Sequence, residues 1–247
     1  MINLFSSNYL SRIPVEKAMR DFSTRFTKEQ KILDIGCGNK PYASYFSCEY
    51  LGLDPYPGTK ADIMRDAWDS GLPENSFDAI ILNQSLEHIS DTHATIQEIE
   101  RILKPGGLVL ITVPQTVRNH GIPLKISEAP VHNFSDKTLP FWNVDYWRFT
   151  KFGLALLFRN FHIEKLEESN SYLTTLIQLW NYFLASFGLG KILSPLYFIN
   201  NIIGILFDWL LFGIGKSGIP GTKKLDQLIF RGLTLNYIMI AKKRSTS

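Results

Sequence analysis

Ile32-Leu-Asp-Ile-Gly-Cys-Gly38, followed by Tyr50-Leu-Gly-Leu-Asp54, is the pair of stretches that decides how this chain is read. A short apolar run enters a turn with two glycines. A second apolar run then ends on an acid, at a separation that suits a strand–helix–strand unit. Glycine lets the backbone approach a ligand closely, and the acid can accept hydrogen bonds from the two hydroxyls of a ribose. The arrangement predicts a site for a nucleoside-containing cofactor. A dinucleotide fingerprint would carry a third glycine, but Asn39, Lys40 and Pro41 follow Gly38 here, so that reading fails.

Around this pair the composition sets limits. The 247 residues suit one domain, or one domain with a sizeable insertion, and 45% hydrophobic residues are ample for a core. The net charge of +3 is mild, and the basic residues are scattered apart from Lys242-Lys-Arg244. No concentrated basic stripe argues for nucleic acid, so none is expected as a partner. Cys37 and Cys48 form neither a disulfide framework nor a metal spacing, which predicts a reducing compartment. Met1 to Arg12 is polar and lacks an apolar signal core. A cytoplasmic location is expected, with peripheral attachment to the cytoplasmic face of a membrane as a further option.

Outward from the glycine turn, strands and helices alternate. Pro14 to Phe26 reads as an amphipathic helix, Lys31 to Ile35 as strand one and Pro41 to Phe46 as a helix. Tyr50 to Leu53 reads as strand two, Ala61 to Met64 as a short strand three and Phe77 to Leu82 as strand four. Ile96, Ile99, Ile102 and Leu103 have helical spacing over Asp91 to Leu103, and Lys104-Pro-Gly-Gly107 should end that helix before strand five at Leu108 to Val113. Pro114 to Phe149 breaks the pattern as a long loop rich in Pro, His and aromatics, and loops of this size are usually functional. Thr150 can cap a helix ending near Asn160, Phe161 to Glu167 reads as strand six and Leu233 to Lys242 as strand seven. The alternation predicts an α/β fold with a parallel sheet and helices on both faces.

Between strands six and seven the chain changes character. Ser169 to Gly190 holds no charged residue, and Ile192 to Gly215 holds only Asp208. Asn200, Gly204 and Asp208 recur at four-residue steps, with Asn201 beside them, as a narrow polar stripe on an apolar helix. Three readings fit residues 169–232: a helical cap, an interfacial membrane segment, or a spanning helical hairpin. Pro195 and Asp208 weigh against spanning. The expected domain organisation is 1–168 plus 233–247 as the cofactor-binding domain, with 169–232 as an apolar helical insertion.

Four blocks in order carry a family likeness: Leu33-Asp-Ile-Gly-Cys-Gly38; Gly52-Leu-Asp54; Asp66 with Leu72-Pro-Glu-Asn-Ser-Phe-Asp78; and Leu86-Glu-His88 with Leu103-Lys-Pro-Gly-Gly107. Together they resemble the small-molecule, lipid and glycan branch of the class I S-adenosylmethionine-dependent methyltransferases, type 11-like. Tyr146-Trp-Arg-Phe-Thr150 followed by Gly153-Leu154 resembles a further segment of such enzymes. The resemblance implies a Rossmann-like, seven-stranded sheet whose last strand is antiparallel, and S-adenosylmethionine as cofactor. It implies that Gly36, Cys37 and Gly38 wrap the methionine part while Asp34 helps hold its ammonium. Asp54, with Pro55, would hold the ribose, Asp66 and Ala67 the adenine, and Asn83 and Gln84 the place where cofactor and acceptor meet.

Methyl transfer from a sulfonium needs orientation and exclusion of water more than acid–base help. A base matters if the acceptor is a neutral hydroxyl, and His88 or His132 could serve. The alternative for His88 is a scaffold role at the start of the helix after strand four. Relatives that bind a divalent metal carry an acid where this chain has Gln84, so no metal is expected. Tyr146, Trp147 and Arg148, with Phe134, Phe141 and Trp142, would form a lid or an acceptor surface. The expected acceptor is an oxygen of a glycan, a lipid-linked saccharide or another amphipathic molecule. A quinone or isoprenoid-like acceptor, or a non-catalytic binding role, are the alternatives.

Overall fold

The computed structural model describes residues 3–117, 144–216 and 233–245. Six strands form one mixed sheet in the order β2-β1-β3-β4-β6-β5. They are β1 (Lys31–Ile35), β2 (Glu49–Leu53), β3 (Phe77–Asn83), β4 (Leu103–Pro114), β5 (Phe161–Glu168) and β6 (Asn236–Lys243). The helices are α1 (Tyr9–Ser23), α2 (Thr92–Ile102), α3 (Lys151–Leu157), α4 (Tyr172–Ala185) and α5 (Gly190–Lys216). β1 pairs in parallel with β2 and β3, and β3 in parallel with β4. β6 runs antiparallel to β4: Gln115 N donates to Leu235 O at the end of β4, while Lys243 Nζ reaches Leu103 O at its start.

The central strands are apolar without alternation. Ile32, Leu33, Ala79, Ile80, Ile81, Leu82, Val109, Leu110 and Ile111 have no exposed surface, as strands covered on both faces require. Asp91 caps α2 by accepting from Ala94 N, and Ile96, Ile99 and Ile102 are its buried stripe. Thr150 caps α3 by accepting from Gly153 N, as its position before an apolar segment predicts.

Several expectations are corrected. Among the described residues the sheet has six strands rather than seven, because Ala61 to Met64 contributes only an isolated bridge between Ile63 and Leu53. Asp62 explains this locally: its carboxylate accepts from Gly52 N at 2.7 Å, taking the donor that a strand neighbour's carbonyl would have used. The helix expected over Pro41 to Phe46 is a single 3-10 turn, Ala43–Tyr45, held by Arg20, which donates to the Tyr45 hydroxyl and stacks over its ring at 4.1 Å. Lys104-Pro-Gly-Gly107 lies within β4 rather than ahead of it. The register shifts between Phe77 opposite Leu103 and Ala79 opposite Leu108, and the extra residues are taken up as a bulge with Gly106 at φ +78°.

α1 starts at Tyr9, five residues before Pro14, where sequence reading placed the start. Pro14 has no N–H for the Leu10 carbonyl, and the buried Asn170 side chain supplies that donor instead at 3.0 Å.

The described residues fall into two compact units. One holds 19–113, 144–166 and 239–245, and so most of the sheet; the other holds 3–18, 114–117, 167–216 and 233–238. The second unit contains the apolar insertion as α4 and α5, together with the N-terminal turns of α1. Ser171 caps α4 by accepting from Thr174 N at 3.3 Å.

Candidate functional site

The parallel register brings the ends of four strands to one edge. Ile35 lies opposite Leu53 and Leu82, and Asn83 opposite Thr112. β1 has β2 on one side and β3 on the other, so the chain's direction of travel across the sheet reverses here. Such a switch point leaves a crevice at the carboxyl ends of the strands.

Two glycines shape that crevice for different reasons. Gly36 sits at φ +72°, and a Cβ there would lie 2.5 Å from the Ser85 Cβ. The turn is locked by Gly36 N and Cys37 N, both donating to Leu53 O, and by Ser85 Oγ donating to Ile35 O. Gly38, at φ +49°, faces open space: a Cβ there would meet nothing within 4 Å. Its N–H donates to Asp54 at 3.0 Å, and Tyr56 N donates to the other Asp54 oxygen at 3.1 Å. Asp54 is therefore held rigidly beside the turn, 6% exposed. Burial pushes its pKa up, while the two backbone donors oppose that shift. Pro55 follows it, half-buried.

Asp34 is 4% exposed and accepts a hydrogen bond from the Tyr50 hydroxyl at 2.6 Å. Burial lifts its pKa to about 7, against the pull of the Tyr50 bond. Cys37 is buried with its thiol near Gly38 O, and burial pushes its pKa up to about 12, so it is a packing residue rather than a thiolate. Gly52 completes the turn: a Cβ there would lie 2.5 Å from both the Cys37 sulfur and the Lys40 side chain. Lys40 pairs with Asp62.

At the end of β3, Asn83 accepts from the Thr112 hydroxyl at 2.6 Å, and Gln84 N donates to Thr112 O at 2.9 Å. Gln84 has φ +50°, a left-handed conformation uncommon for a residue with a side chain. Beyond it, the turn Leu86–His88 carries Glu87, which has no exposed surface and whose two carboxyl oxygens have no hydrogen-bond partner among the described residues. Burial pushes Glu87 to about 8. The His88 Nδ1 lies 2.8 Å from Val144 O, which makes Nδ1–H the donor and puts the neutral ring's basic lone pair on Nε2. That Nε2 is 3.9 Å from Glu87.

Tyr146 and Trp147 are fastened to this turn, with Arg148 beside them. Tyr146 N and Trp147 N both donate to Glu87 O, the Trp147 indole donates to Ile89 O at 2.8 Å, and Arg148 pairs with Asp145. Asp66, Trp68, Ser90, Asp91, Thr92, His93 and Trp147 line a hollow of about 580 Å³, with Ala67 buried next to Asp66. His132, Phe134, Phe141 and Trp142 lie outside the described residues.

Asp34, Gly36, Cys37, Gly38 and Asp54 are thus joined at the crevice, Asn83 and Gln84 end the adjacent strand, and Asp66 lines the hollow with Trp147. Sequence reading missed Tyr50, Ser85, Thr112 and the buried Glu87 side chain. Tyr50 starts a strand and Thr112 lies within one, positions that read as ordinary sheet, so no signal marked them.

Comparison with known proteins agrees with this geometry. Residues 9–183 match the family model described as a methyltransferase domain. Over 130 residues the chain is 35% identical to the tRNA (carboxymethyluridine(34)-5-O)-methyltransferase of Arabidopsis thaliana, covering 42% of this chain and 32% of that protein. Over 161 residues it is 24% identical to the fatty-acid O-methyltransferase of Mycolicibacterium smegmatis, covering 57% and 58%. It superposes on phosphoethanolamine N-methyltransferase 2 of Haemonchus contortus, solved with S-adenosyl-L-methionine, with a TM-score of 0.53 at 20% identity, over 95% of this chain and 53% of that one. The chain spans about a fifth to a third of the length of the curated relatives it first matches.

A mixed sheet with a glycine-lined crevice at its switch point and an acid closing the second strand defines a Rossmann-like α/β protein. Within that class, the chain belongs to the methyltransferase domain family, whose enzymes use S-adenosylmethionine.

Proposed function

We propose that this chain transfers a methyl group from S-adenosylmethionine to an oxygen of an amphipathic acceptor: a glycan, a lipid-linked saccharide or a fatty or isoprenoid-like molecule. One observation carries the reading: Gly38 presents open space where a side chain would stand, directly beside the rigidly held Asp54 carboxylate. The residues at the crevice fit the cofactor. The Gly36–Gly38 turn would lie against the methionine part and Asp34 near its ammonium. Asp54, already fixed by two backbone donors, keeps lone pairs on both oxygens for the ribose hydroxyls. Asp66 and Ala67 would flank the adenine.

The sulfonium supplies an electrophilic methyl with a neutral leaving group. The protein's own residues then orient and exclude water. Asn83 and Gln84 are pinned to Thr112, so the edge facing the acceptor is rigid before any ligand arrives. His88, with its basic lone pair on Nε2, is the residue best suited among those described to take a hydroxyl proton. Tyr146 and Trp147, docked on the Glu87 carbonyl, hold the end of the long loop over this turn.

Support for an amphipathic acceptor comes from the apolar surface of α4 and α5 and from the name of the fatty-acid O-methyltransferase relative. Location at the cytoplasmic face of a membrane belongs to the same reading.

The test pairs two measurements. Calorimetry with S-adenosylmethionine should show binding that Asp54→Ala weakens by at least tenfold. Labelled-methyl transfer into a lipid extract, followed by base treatment to separate esters from ethers, should then identify an oxygen-linked product. Binding without transfer to lipid, quinone or saccharide fractions would leave a non-catalytic protein. No binding would end the reading.

A further inference from the structure

The two insertion helices are built inside out. On α4, Thr174, Thr175, Gln178 and Asn181 have no exposed surface, whereas Tyr172, Leu176, Trp180 and Phe183 are 41%, 43%, 50% and 52% exposed. On α5, Asn201 is fully buried, and Gly204 and Asp208 lie on the same stripe. On the opposite stripe, Ile192, Ile199, Ile203, Leu206 and Leu210 are 74%, 53%, 40%, 58% and 48% exposed, and Trp209 is 75% exposed. Both stripes step by three or four residues, the helical period. A helix of a water-soluble domain shows the reverse polarity.

Most of the inward polar face is hydrogen-bonded, the buried Tyr197 hydroxyl being an exception among the described residues. Asn181 donates to Asn201, and Asn200 donates back to Asn181, at 3.0 and 2.8 Å. Thr174 Oγ1 lies 2.9 Å from Gly204 O and 2.7 Å from Asp208, which also accepts from Ser171 N at the start of α4. Gln178 accepts from Leu10 N, and Asn201 donates to Leu4 O and Ser6 O. The stripe that looked costly in lipid therefore faces away from the apolar surface. A polar seam with an apolar exterior is what hydrocarbon demands of a protein.

We infer that α4 and α5 form a monotopic anchor whose apolar exterior sinks into one leaflet of a bilayer. Length decides against spanning. The 14 residues of α4 reach about 21 Å, short of the roughly 30 Å hydrocarbon core. α5 has 27 residues and is long enough alone, but only 17% of its most apolar window is buried, so it is not the core helix of a soluble protein. A crossing by α5 alone would leave β5 and β6, which lie in one sheet, on opposite sides of the membrane. The outer face also carries the residues favoured at the headgroup boundary: Trp180 stacks on Phe183 and Phe183 meets Phe187 edge-on, with Trp209 on α5. Lys191, exposed in the first turn of α5, is a cation suited to anionic headgroups.

The inference deepens the proposed function by naming the surface on which an amphipathic acceptor is met, and rests on that function for the acceptor alone. The test uses the full chain and needs no activity. The protein, purified in mild detergent, is added to preformed vesicles of phosphatidylcholine alone or with one-quarter phosphatidylglycerol and floated on a density gradient. The expected result is flotation with both, stronger with the anionic lipid, and at least a tenfold loss in Ile199→Glu/Leu206→Glu/Trp209→Glu. That variant should keep the wild-type affinity for S-adenosylmethionine, which reports folding and the cofactor site separately. Trp180 fluorescence, read as the difference from Trp180→Phe, should be quenched more by bromine near the headgroup end of the acyl chains than near their methyl end. Failure of the wild-type protein to float would overturn the inference. So would stronger quenching from the deep position, or a detergent-free dimer that the triple variant dissociates, since a second copy would then be covering the face.

Discussion

Asp34 is a carboxyl held almost out of water and tied to a tyrosine hydroxyl, and its pKa of about 7 makes it a sensor of what sits beside it. A cationic ammonium stabilises the carboxylate, so binding should release a proton near neutrality. Affinity for S-adenosylmethionine is expected to rise between pH 6 and pH 8, and Asp34→Asn should flatten that rise and weaken binding. Tyr50→Phe removes the bond that favours the charged form, so the midpoint of the rise should move to higher pH; calorimetry across pH in two buffers of different ionisation enthalpy reads both effects. The glycines separate folding from binding. Gly36→Ala forces a left-handed alanine against Ser85 and should destabilise the fold by about 1–3 kcal/mol, seen in urea unfolding. Gly38→Ala meets no neighbour but puts an alanine at φ +49°, so its loss of stability should be about 1–2 kcal/mol from backbone strain alone, while ligand affinity falls far more.

At the scale of elements, the polar seam of α4 and α5 is closely packed around Gly204. A Cβ on Gly204 would lie 2.7 Å from the Leu10 side chain and 3.4 Å from Thr174. Gly204→Ala should therefore crowd the buried Leu10 tip, while Thr174 stays in ordinary contact. A loss of about 1–3 kcal/mol is expected from overpacking, measured by denaturant unfolding in detergent. Thr174→Val keeps the shape but leaves the Gly204 carbonyl and Asp208 without the hydroxyl, and should cost about 1–3 kcal/mol. Both substitutions leave the outer apolar face unchanged, so vesicle flotation should persist. The sheet edge shows a second lesson at this scale: Ala61 to Met64 has the apolar content of a strand but not the pairing, because the Asp62 carboxylate occupies the Gly52 donor.

For the whole molecule, the buried carboxyls set a direction of pH dependence. Glu87 and Asp34 have folded pKa values of about 8 and about 7, both above their ordinary values. The folded chain therefore holds protons that the unfolded chain gives up. Stability from these groups is complete below the ordinary carboxyl range, and it is lost as pH climbs through 7 and 8. Thermal midpoints should fall between pH 6 and pH 9, and Glu87→Gln, which cannot ionise, should fall less. A midpoint for that variant that tracked the wild type across the range would show that Glu87 is not protonated in the fold.

Much of this was legible in the chain itself. Four of the six described strands begin and end within one residue of where apolar runs and punctuation place them, β6 starts three residues late and β4 five residues early, and Thr150 caps its helix as its position predicts. The glycine turn, Asp34 and Asp54 were readable because a backbone turn and a strand end are local features, written in consecutive residues. What only the tertiary structure decided is what depends on residues far apart: that Tyr50 and Ser85 brace the turn, that Thr112 pins Asn83 and Gln84, and that the Glu87 carboxyl is sealed without a hydrogen bond among the described residues. It also decided which way the insertion's polar stripe faces. Periodicity reveals that a helix has two faces, but only the packing partner, here Thr174, Gln178, Asn181 and the N-terminal backbone, settles which face is the inside.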